Sequence, residues 1–423
     1  MIVRVQALGF RSLRYVDQAL ERFHVLVGPN AAGKSSFLDV IAIAGDILRA
    51  GPLKAIRGDS RMGILSRAAD PRAMTWMGTR DRFQLAVEMR IPRTLAGLYT
   101  LARYEVSVRV AAGEEVRLES ETLFLKGAGE AAGEPVVAQR TLFPQPEQPP
   151  EDIVRGVGAK SPQGWRKVIH KVGDTGNDYF KAETSDWNNL FRLSPAKSAL
   201  ANLPEDESKF PVATWVKRFL MEGVQRVTLN AEAMRGPSPP GSPSTFLPDG
   251  SNLPWVVEGL RANPSLFERW VAHVRSALPD VKSIESVERA EDRHRYLVVE
   301  YQNGLRAPSW IVSDGTLRLL ALTLPAFLPR LEGVWLVEEP ENGIHPKAVE
   351  TVYEALSSVQ GAQILCASHS PVVLGMARPE DVLCFAKDDS GATDIVRGDE
   401  HPVLRAWKGA LDLSTVFASG VLG

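Results

Sequence analysis

Two periods of apolar residues run along the chain, and they predict its elements. Residues 2–8 and 23–28 read as strands, the second ending at a glycine-rich turn. Residues 34–49 then carry Phe37, Leu38, Ile41, Ala42, Ile47 and Leu48 at helical spacing, which predicts a helix opening directly on that turn. Residues 83–91 and 103–110 alternate with period two and predict an antiparallel pair, and 116–126 adds a further strand. From 127 to 164 the composition shifts to Gly, Ala, Pro, Gln and Glu, which reads as a loop or partly disordered insert. Residues 196–225 and 252–278 look mainly helical, parted by the Pro/Gly/Ser-rich run 235–250. Strand and helix then alternate. There is a strand at 296–302, a helix from near Ser313, a strand at 334–339, a helix at 346–360 and strands at 363–368 and 381–386. That alternation is the pattern of a parallel sheet flanked by helices. There is no internal repeat and no sustained heptad.

Composition changes this picture little. Of the 423 residues, 44% are apolar and 24% charged, an ordinary globular balance, and the length suggests two or three domains. A net charge of −2 makes no global electrostatic case for nucleic acid, although a local basic patch stays open. Cys366 and Cys384 lie in apolar stretches and read as buried, inert thiols; two cysteines exclude a disulfide framework and fit a reducing cytosol. The N-terminus alternates like a strand and lacks the basic start and apolar block of a signal peptide. Apolar runs such as 317–329 are too short to span a bilayer and are broken by proline. The expectation is a soluble, cytoplasmic protein.

Three stretches carry chemistry. Gly28-Pro29-Asn30-Ala31-Ala32-Gly33-Lys34-Ser35 matches G-x-x-x-x-G-K-[ST], with a strand before it and a helix after it. The glycines let successive backbone N–H groups turn toward phosphate oxygens, and the helix N-terminus adds its dipole. Lys34 is then placed for the β- and γ-phosphates, and Ser35 for Mg²⁺. The strand of 334–337 ends in Glu338 and Glu339, at the strand end where open α/β sheets bind ligands. Glu338 is placed to reach Mg²⁺ and Glu339 to orient or deprotonate water; alternation along a strand predicts opposite faces and different roles. Ser313-Asp314-Gly315-Thr316, ahead of an apolar helix, is ordinary N-cap chemistry, and the same geometry is also an anion site. His369, in Ala367-Ser368-His369-Ser370-Pro371, closes a strand where it can meet a bound phosphate or water, or be structural only. His345 follows the acidic pair and shapes a turn.

In order, GPNAAGKSS, SDGTLRLLAL, VWLVEEPENGIHP and CASHSP resemble the ABC-type ATPases of the AAA_21/AAA_15 group, related to the ATPase half of OLD-family nucleases and to RecF and SMC heads. The resemblance covers about residues 1–50 and 296–390. It implies an α/β, ABC-type P-loop NTPase head, a mixed sheet core plus an antiparallel lobe, with an irregular, mainly helical insert. It divides the chain into an N-terminal ATPase lobe with Walker A (1–126), an insert and helical lobe (127–295), and a C-terminal ATPase lobe with signature, Walker B and switch histidine (296–423). It implies ATP and Mg²⁺ as cofactors, the nucleotide held by Gly28, Asn30, Ala31, Ala32, Gly33, Lys34, Ser35 and Ser36, and the metal by Ser35 and Glu338. Glu338 stands where most relatives have Asp. Glu339 would be the catalytic glutamate and His369 the switch histidine. Ser313, Asp314 and Gly315 would clasp the γ-phosphate of nucleotide on the opposite subunit, with Asp314 replacing the glycine of transporter signatures. For the Q-loop glutamine, Gln84 and Gln163 are the candidates.

The resemblance therefore implies a head-to-tail homodimer, or higher homo-oligomer, with composite sites. Lys34 and Ser313 stand roughly 280 residues apart. The stretch between them is rich in Pro, Gly and Trp and lacks the heptads of a chromosome-organising arm, so it reads as a compact lobe or lid. The first reading is the sensor or regulatory ATPase of a bacterial anti-phage defence module. It would act with a separate effector, a TOPRIM nuclease or a toxin, without a membrane and with DNA as an open partner. The alternatives are a RecF-like DNA-repair ATPase and a nucleotide-gated scaffold with little turnover. A nuclease within the chain is not expected, since Asp388 and Asp389 read as a hairpin turn.

Overall fold

In the computed structural model, which describes residues 1–111, 115–127, 149–156, 161–173 and 178–401, the chain opens on β1 (Ile2–Phe10), β2 (Leu13–Ala19) and β3 (Phe23–Val27). The helices α1 (Lys34–Ala50) and α2 (Pro52–Arg57) follow, then β4 (Arg82–Arg90), β5 (Tyr99–Val110), β6 (Val116–Gly127), β7 (Trp165–Val172), β8 (Tyr179–Lys181) and β9 (Asn188–Leu190). Next come α3 (Pro211–Glu222), β10 (Val224–Val227), α4 (Ala231–Arg235), α5 (Leu253–Arg261), α6 (Pro264–Ala277), β11 (Val281–Glu288), β12 (Arg295–Tyr301) and β13 (Arg306–Pro308). The chain continues through α7 (Asp314–Thr323), β14 (Val334–Glu338), α8 (Pro346–Ser358), β15 (Gln363–Ala367), α9 (Pro371–Met376), β16 (Val382–Lys387) and β17 (Thr393–Arg397).

The period-two strands of the first half form an antiparallel sheet in the order β2-β1-β4-β5-β6-β7-β8-β9. The strand–helix alternation of the second half forms a sheet in the order β10-β14-β15-β3-β16-β17, parallel from β10 to β16 and closed by the antiparallel β16–β17 hairpin. The expected mixed α/β head with an antiparallel lobe is what the chain forms.

Alternation along the parallel strands sorts their residues between two cores. Val334 and Leu336, Leu365 and Ala367, and Leu383 and Phe385 face one cluster, which includes α1 and the antiparallel sheet. Trp335 and Val337, Ile364 and Cys366, and Val382 and Cys384 face the other, built with α5 to α8. Helix α1 thus lies between two sheets. Thirteen of its seventeen residues are buried, so its sequence is apolar nearly all round rather than along one stripe. Each fully buried Ile or Phe there contributes roughly 1.5–3 kcal/mol over its exposed state. Both cysteines are buried and free, and burial pushes the Cys384 thiol up to about 12 and the Cys366 thiol higher still.

The span expected to be mainly helical carries α3, α5 and α6, and also strands. β7 to β9 extend the antiparallel sheet and β10 edges the parallel one. Part of the span read as a loop, 128–148 and 157–160, lies outside the described residues. Between them, 149–156 is held against the sheet. The backbone N–H of Ile153 donates to Gln84 Oε1 at 2.8 Å, and those of Arg155 and Gly156 donate to Glu105 Oε2 at 2.7 and 3.1 Å. Asp388 Oδ1 accepts from Ser390 N and Ala392 N at 2.8 Å each, the hairpin turn expected there. Among the described residues, no helix is long and apolar enough to cross a membrane.

Candidate functional site

The parallel strands end along one edge, and the chemistry-bearing segments follow their C-terminal ends. They meet in a cavity of about 1010 Å³ lined by Asn30, Ala31, Ala32, Gly33, Lys34, Ser35 and Ser36, by Glu338 and Glu339, and by His369. Arg11, Arg72, Trp76 and Met77 form much of the remaining wall.

The 28–35 loop leaves β3, whose five residues are all buried. Gly33 sits at φ 106°, and a Cβ there would stand 2.2 Å from Thr393 Oγ1, so only glycine fits. Thr393 braces the loop: its hydroxyl donates to the carbonyl of Ala32 at 2.9 Å and lies 3.0 Å from Ser12 Oγ. Ala31 is left-handed at φ 63°, a conformation a non-glycine residue holds only where its surroundings enforce it. Helix α1 begins with no side-chain cap and no acid in its first turn. Its first N–H groups are therefore left for an anion.

Lys34 lies folded onto its own loop, with Nζ donating to the carbonyls of Gly28 and Pro29 at 2.8 and 2.9 Å. Burial pushes its amine down to about 8, against the opposing pull of Glu339, Glu338 and Glu341. Ser35 Oγ donates to Glu338 Oε2 at 2.5 Å. The other carboxylate oxygen, Oε1, accepts from Arg226 Nη2 at 2.5 Å and from Nε at 3.0 Å. Ser35 and Glu338 are adjacent hard oxygen donors beside a glycine-built anion cradle, and such a set fits Mg²⁺ with a nucleotide phosphate.

Glu339 departs from the strand alternation. β14 ends at Glu338, and Glu339 turns left-handed at φ 47° while its N–H donates to the carbonyl of Ala367 at 2.8 Å. Both acids therefore line the same cavity, and their partners separate them: Glu338 meets Ser35 and Arg226, whereas Glu339 Oε2 accepts from the Asn342 amide. The N–H of His369 and the hydroxyl of Ser368 both donate to Glu341 Oε1 at 2.8 Å, which ties the histidine turn to the acidic one. Burial, then Lys34, holds the imidazole of His369 below its ordinary value, against Glu339 and Glu341.

Ser313, Asp314 and Gly315 are not brought into this cavity. Ser313 Oγ caps α7, accepting from Thr316 N at 3.2 Å, and Asp314 pairs with Arg235 at 2.6 Å. The other segment beside the cavity is the acidic turn, against which α7 packs: a Cβ on Gly315 would stand 2.6 Å from the carbonyl of Gly343. Neither glutamine candidate reaches the site. Gln84 is buried in β4 with its amide on Asp152 at 2.6 Å, and Gln163 is exposed in a turn. His345 caps α8, its Nδ1 accepting from Lys347 N at 3.2 Å.

Sequence reasoning missed Arg226, Glu341 and Thr393. Glu341 had a signal, a third acid in the EEPEN run. So did Arg226, a lone charge inside the apolar VQRV.

A family model described as "AAA domain, putative AbiEii toxin, Type IV TA system" (AAA_21) matches residues 137–375, more than half of the chain. That span contains Ser313, Glu338, Glu339 and His369 and leaves the 28–35 loop outside. No curated protein matches. Among solved structures, the chain is similar to an SMC head bound to the C-winged helix domain of ScpA, at 12% identity and TM-score 0.50, over 93% of this chain and 96% of that one. It is also similar to an Smc head domain with an extended coiled coil, bound to the C-terminal domain of ScpA derived from Pyrococcus furiosus. The values there are 10% identity and TM-score 0.44, over 93% and 95% of the two chains. The first of these likenesses is one of fold.

Proposed function

The chain belongs to the AAA_21 family of ATPases, and we propose that it binds ATP in the 1010 Å³ cavity and hydrolyses it as a head-to-tail dimer. The convergence of Lys34, Ser35, Glu338, Glu339 and His369 on that one cavity carries this reading. Lys34 neutralises phosphate charge, and the open N-terminus of α1 donates N–H groups to it. Ser35 and Glu338 would hold Mg²⁺, which when bound neutralises charge on the phosphates. Glu339 orients a water and takes its proton as the water oxygen bonds to the γ-phosphorus; the bond to the β-phosphate oxygen breaks, leaving ADP and phosphate. His369 donates to the phosphate or the water. Positioning and charge do most of this catalysis.

What stands outside the cavity supports the dimer. Residues 313–315 carry the signature chemistry away from it, and Trp310 and Ile311 directly before them are 48% and 62% exposed. A second hollow of about 560 Å³ shares Asn30, Glu339 and His369 with the first, leaving room for a partner's residues beside the same acid. The family's description as a putative toxin of a type IV toxin–antitoxin system supports a place in a toxin–antitoxin or defence module.

Nucleotide binding and steady-state hydrolysis separate the roles. Lys34→Ala should lose ATP binding, and Glu339→Gln should bind ATP like the wild type while hydrolysis falls by about 100-fold or more. Wild-type hydrolysis in Glu339→Gln would remove the role given to Glu339, and undiminished binding in Lys34→Ala would remove the site.

A further inference from the structure

We propose that Arg226 is a tethered counter-charge with two seats, Glu338 in the metal-free cavity and Asp39 once Glu338 is committed to a divalent cation. The inference rests on the reading of the cavity as a metal–nucleotide site.

Arg226 lies on the edge strand β10, in register with Leu336 of β14. Leu336 and Glu338 share a face of β14, so the arginine needs to reach only one strand repeat toward the cavity edge. It arrives with two nitrogens on one oxygen, Nη2 at 2.5 Å and Nε at 3.0 Å from Glu338 Oε1, while Ser35 holds Oε2. Both oxygens of the acid are thus occupied, one of them by a permanent cation. A guanidinium and a divalent ion on one carboxylate repel each other, and this repulsion favours a move of Arg226 off Glu338 when the acid serves a metal.

The second seat is already built. Asp39 lies in α1, 1% exposed, with Oδ1 3.9 Å from Arg226 Nη1. Its Oδ1 accepts from Arg67 Nε at 2.6 Å, and its Oδ2 stands 3.1 Å from Arg11 Nη1 without a hydrogen bond. The oxygen nearest Arg226 is Oδ1, which has a second lone pair beside the one Arg67 uses, and a shift of about one ångström closes the 3.9 Å gap to hydrogen-bond distance. Arg226 is a positioning residue: it acts on the metal through Glu338 and raises the cation concentration needed to fill the site.

The test is Mn²⁺ titration of the full chain with AMPPNP, followed by loss of the free-ion electron paramagnetic resonance signal. Arg226→Gln, and Arg226→Met with its longer apolar stem, should lower half-saturating Mn²⁺ about three- to tenfold, because a partly exposed charge pair no longer competes. Asp39→Asn should raise it, since the displaced arginine loses its seat. Equal or higher half-saturation in both Arg226 variants, or a lowered value in Asp39→Asn, overturns the proposal. AMPPNP binding in EDTA is measured alongside, by fluorescence of its methylanthraniloyl derivative. If the wild type fails to bind there and with Mn²⁺, the nucleotide reading itself falls. If binding persists and only the Mn²⁺ order is wrong, Arg226 alone is misassigned.

Discussion

Raising the pH should weaken nucleotide binding through Lys34. Its amine is pushed down to about 8 by burial, despite three nearby carboxylates. A bound polyphosphate supplies the counter-charge that burial removes, so the amine of the complex protonates well above that value. Between the two values binding takes up a proton, and each pH unit above 8 weakens it by ~1.4 kcal/mol. The sign is fixed: the free protein loses the proton first, so affinity is full below 8 and falls above it. With one such group, affinity should drop about tenfold between pH 7 and pH 9. His369, also in the cavity, is held below its ordinary value by burial and by Lys34. Calorimetric titration with AMPPNP, in buffers of different ionisation enthalpy, reads both quantities. Proton uptake should rise from about 0.1 at pH 7 to about 0.9 at pH 9. Lys34→Arg, whose guanidinium keeps its charge, should bind with no slope. Flat affinity in the wild type, or uptake unchanged by Lys34→Arg, would refute the assignment of the titration to this amine.

Two further outcomes are expected. Mixing Lys34→Ala with Ser313→Arg should restore part of the ATPase activity each lacks alone, because one of the two sites in a mixed dimer then carries neither lesion; no recovery with mixed dimers shown to form would argue against composite sites. Gly315→Ala would place a methyl 2.6 Å from the carbonyl of Gly343, so the start of α7 and the acidic turn must part. Roughly 1–3 kcal/mol should be lost in chemical denaturation, and hydrolysis should fall further than ATP binding; unchanged stability and turnover would mean the two segments do not press on each other.

Much of the site was legible because its signals are local. The 28–35 loop needs two glycines, a lysine and a hydroxyl within eight residues, and their conformations follow from neighbours in the chain. The acids ending β14 declare themselves against an apolar strand. What stayed hidden depends on distant partners. β10 is four residues long and pairs with β14 more than a hundred residues later, so VQRV offers too few positions to show a period. β7 finds β6 across the 128–148 stretch, and its buried Lys171 breaks the apolar alternation that would have marked it. The turn of Glu339 was hidden for another reason. Alternation holds only while a strand continues, and the left-handed turn of Glu339 ends β14 one residue short of the expected 334–339.

Sheet order explains how residues from distant parts of the chain come to one cavity. The strands β10, β14, β15 and β3 are neighbours, all parallel, and their C-terminal ends present in turn Arg226, the Glu338–Glu339 pair, His369 and the 28–35 loop. A connection between two parallel strands can be long without moving either end, provided it packs outside the sheet. Most of the chain between α1 and β14 does so: β4 to β9 build the antiparallel sheet beyond α1, and α5 and α6 pack in the core on the opposite face. β10 is the exception, entering the parallel sheet at its edge beside β14. It is bracketed by α3 and α4, and α4 holds Asp314 at the head of α7 through Arg235. One short segment, 224–235, therefore contacts Glu338 through Arg226 and the head of α7 through Arg235. The shift proposed for Arg226 would be carried by the same stretch of backbone that anchors Asp314 at the head of α7.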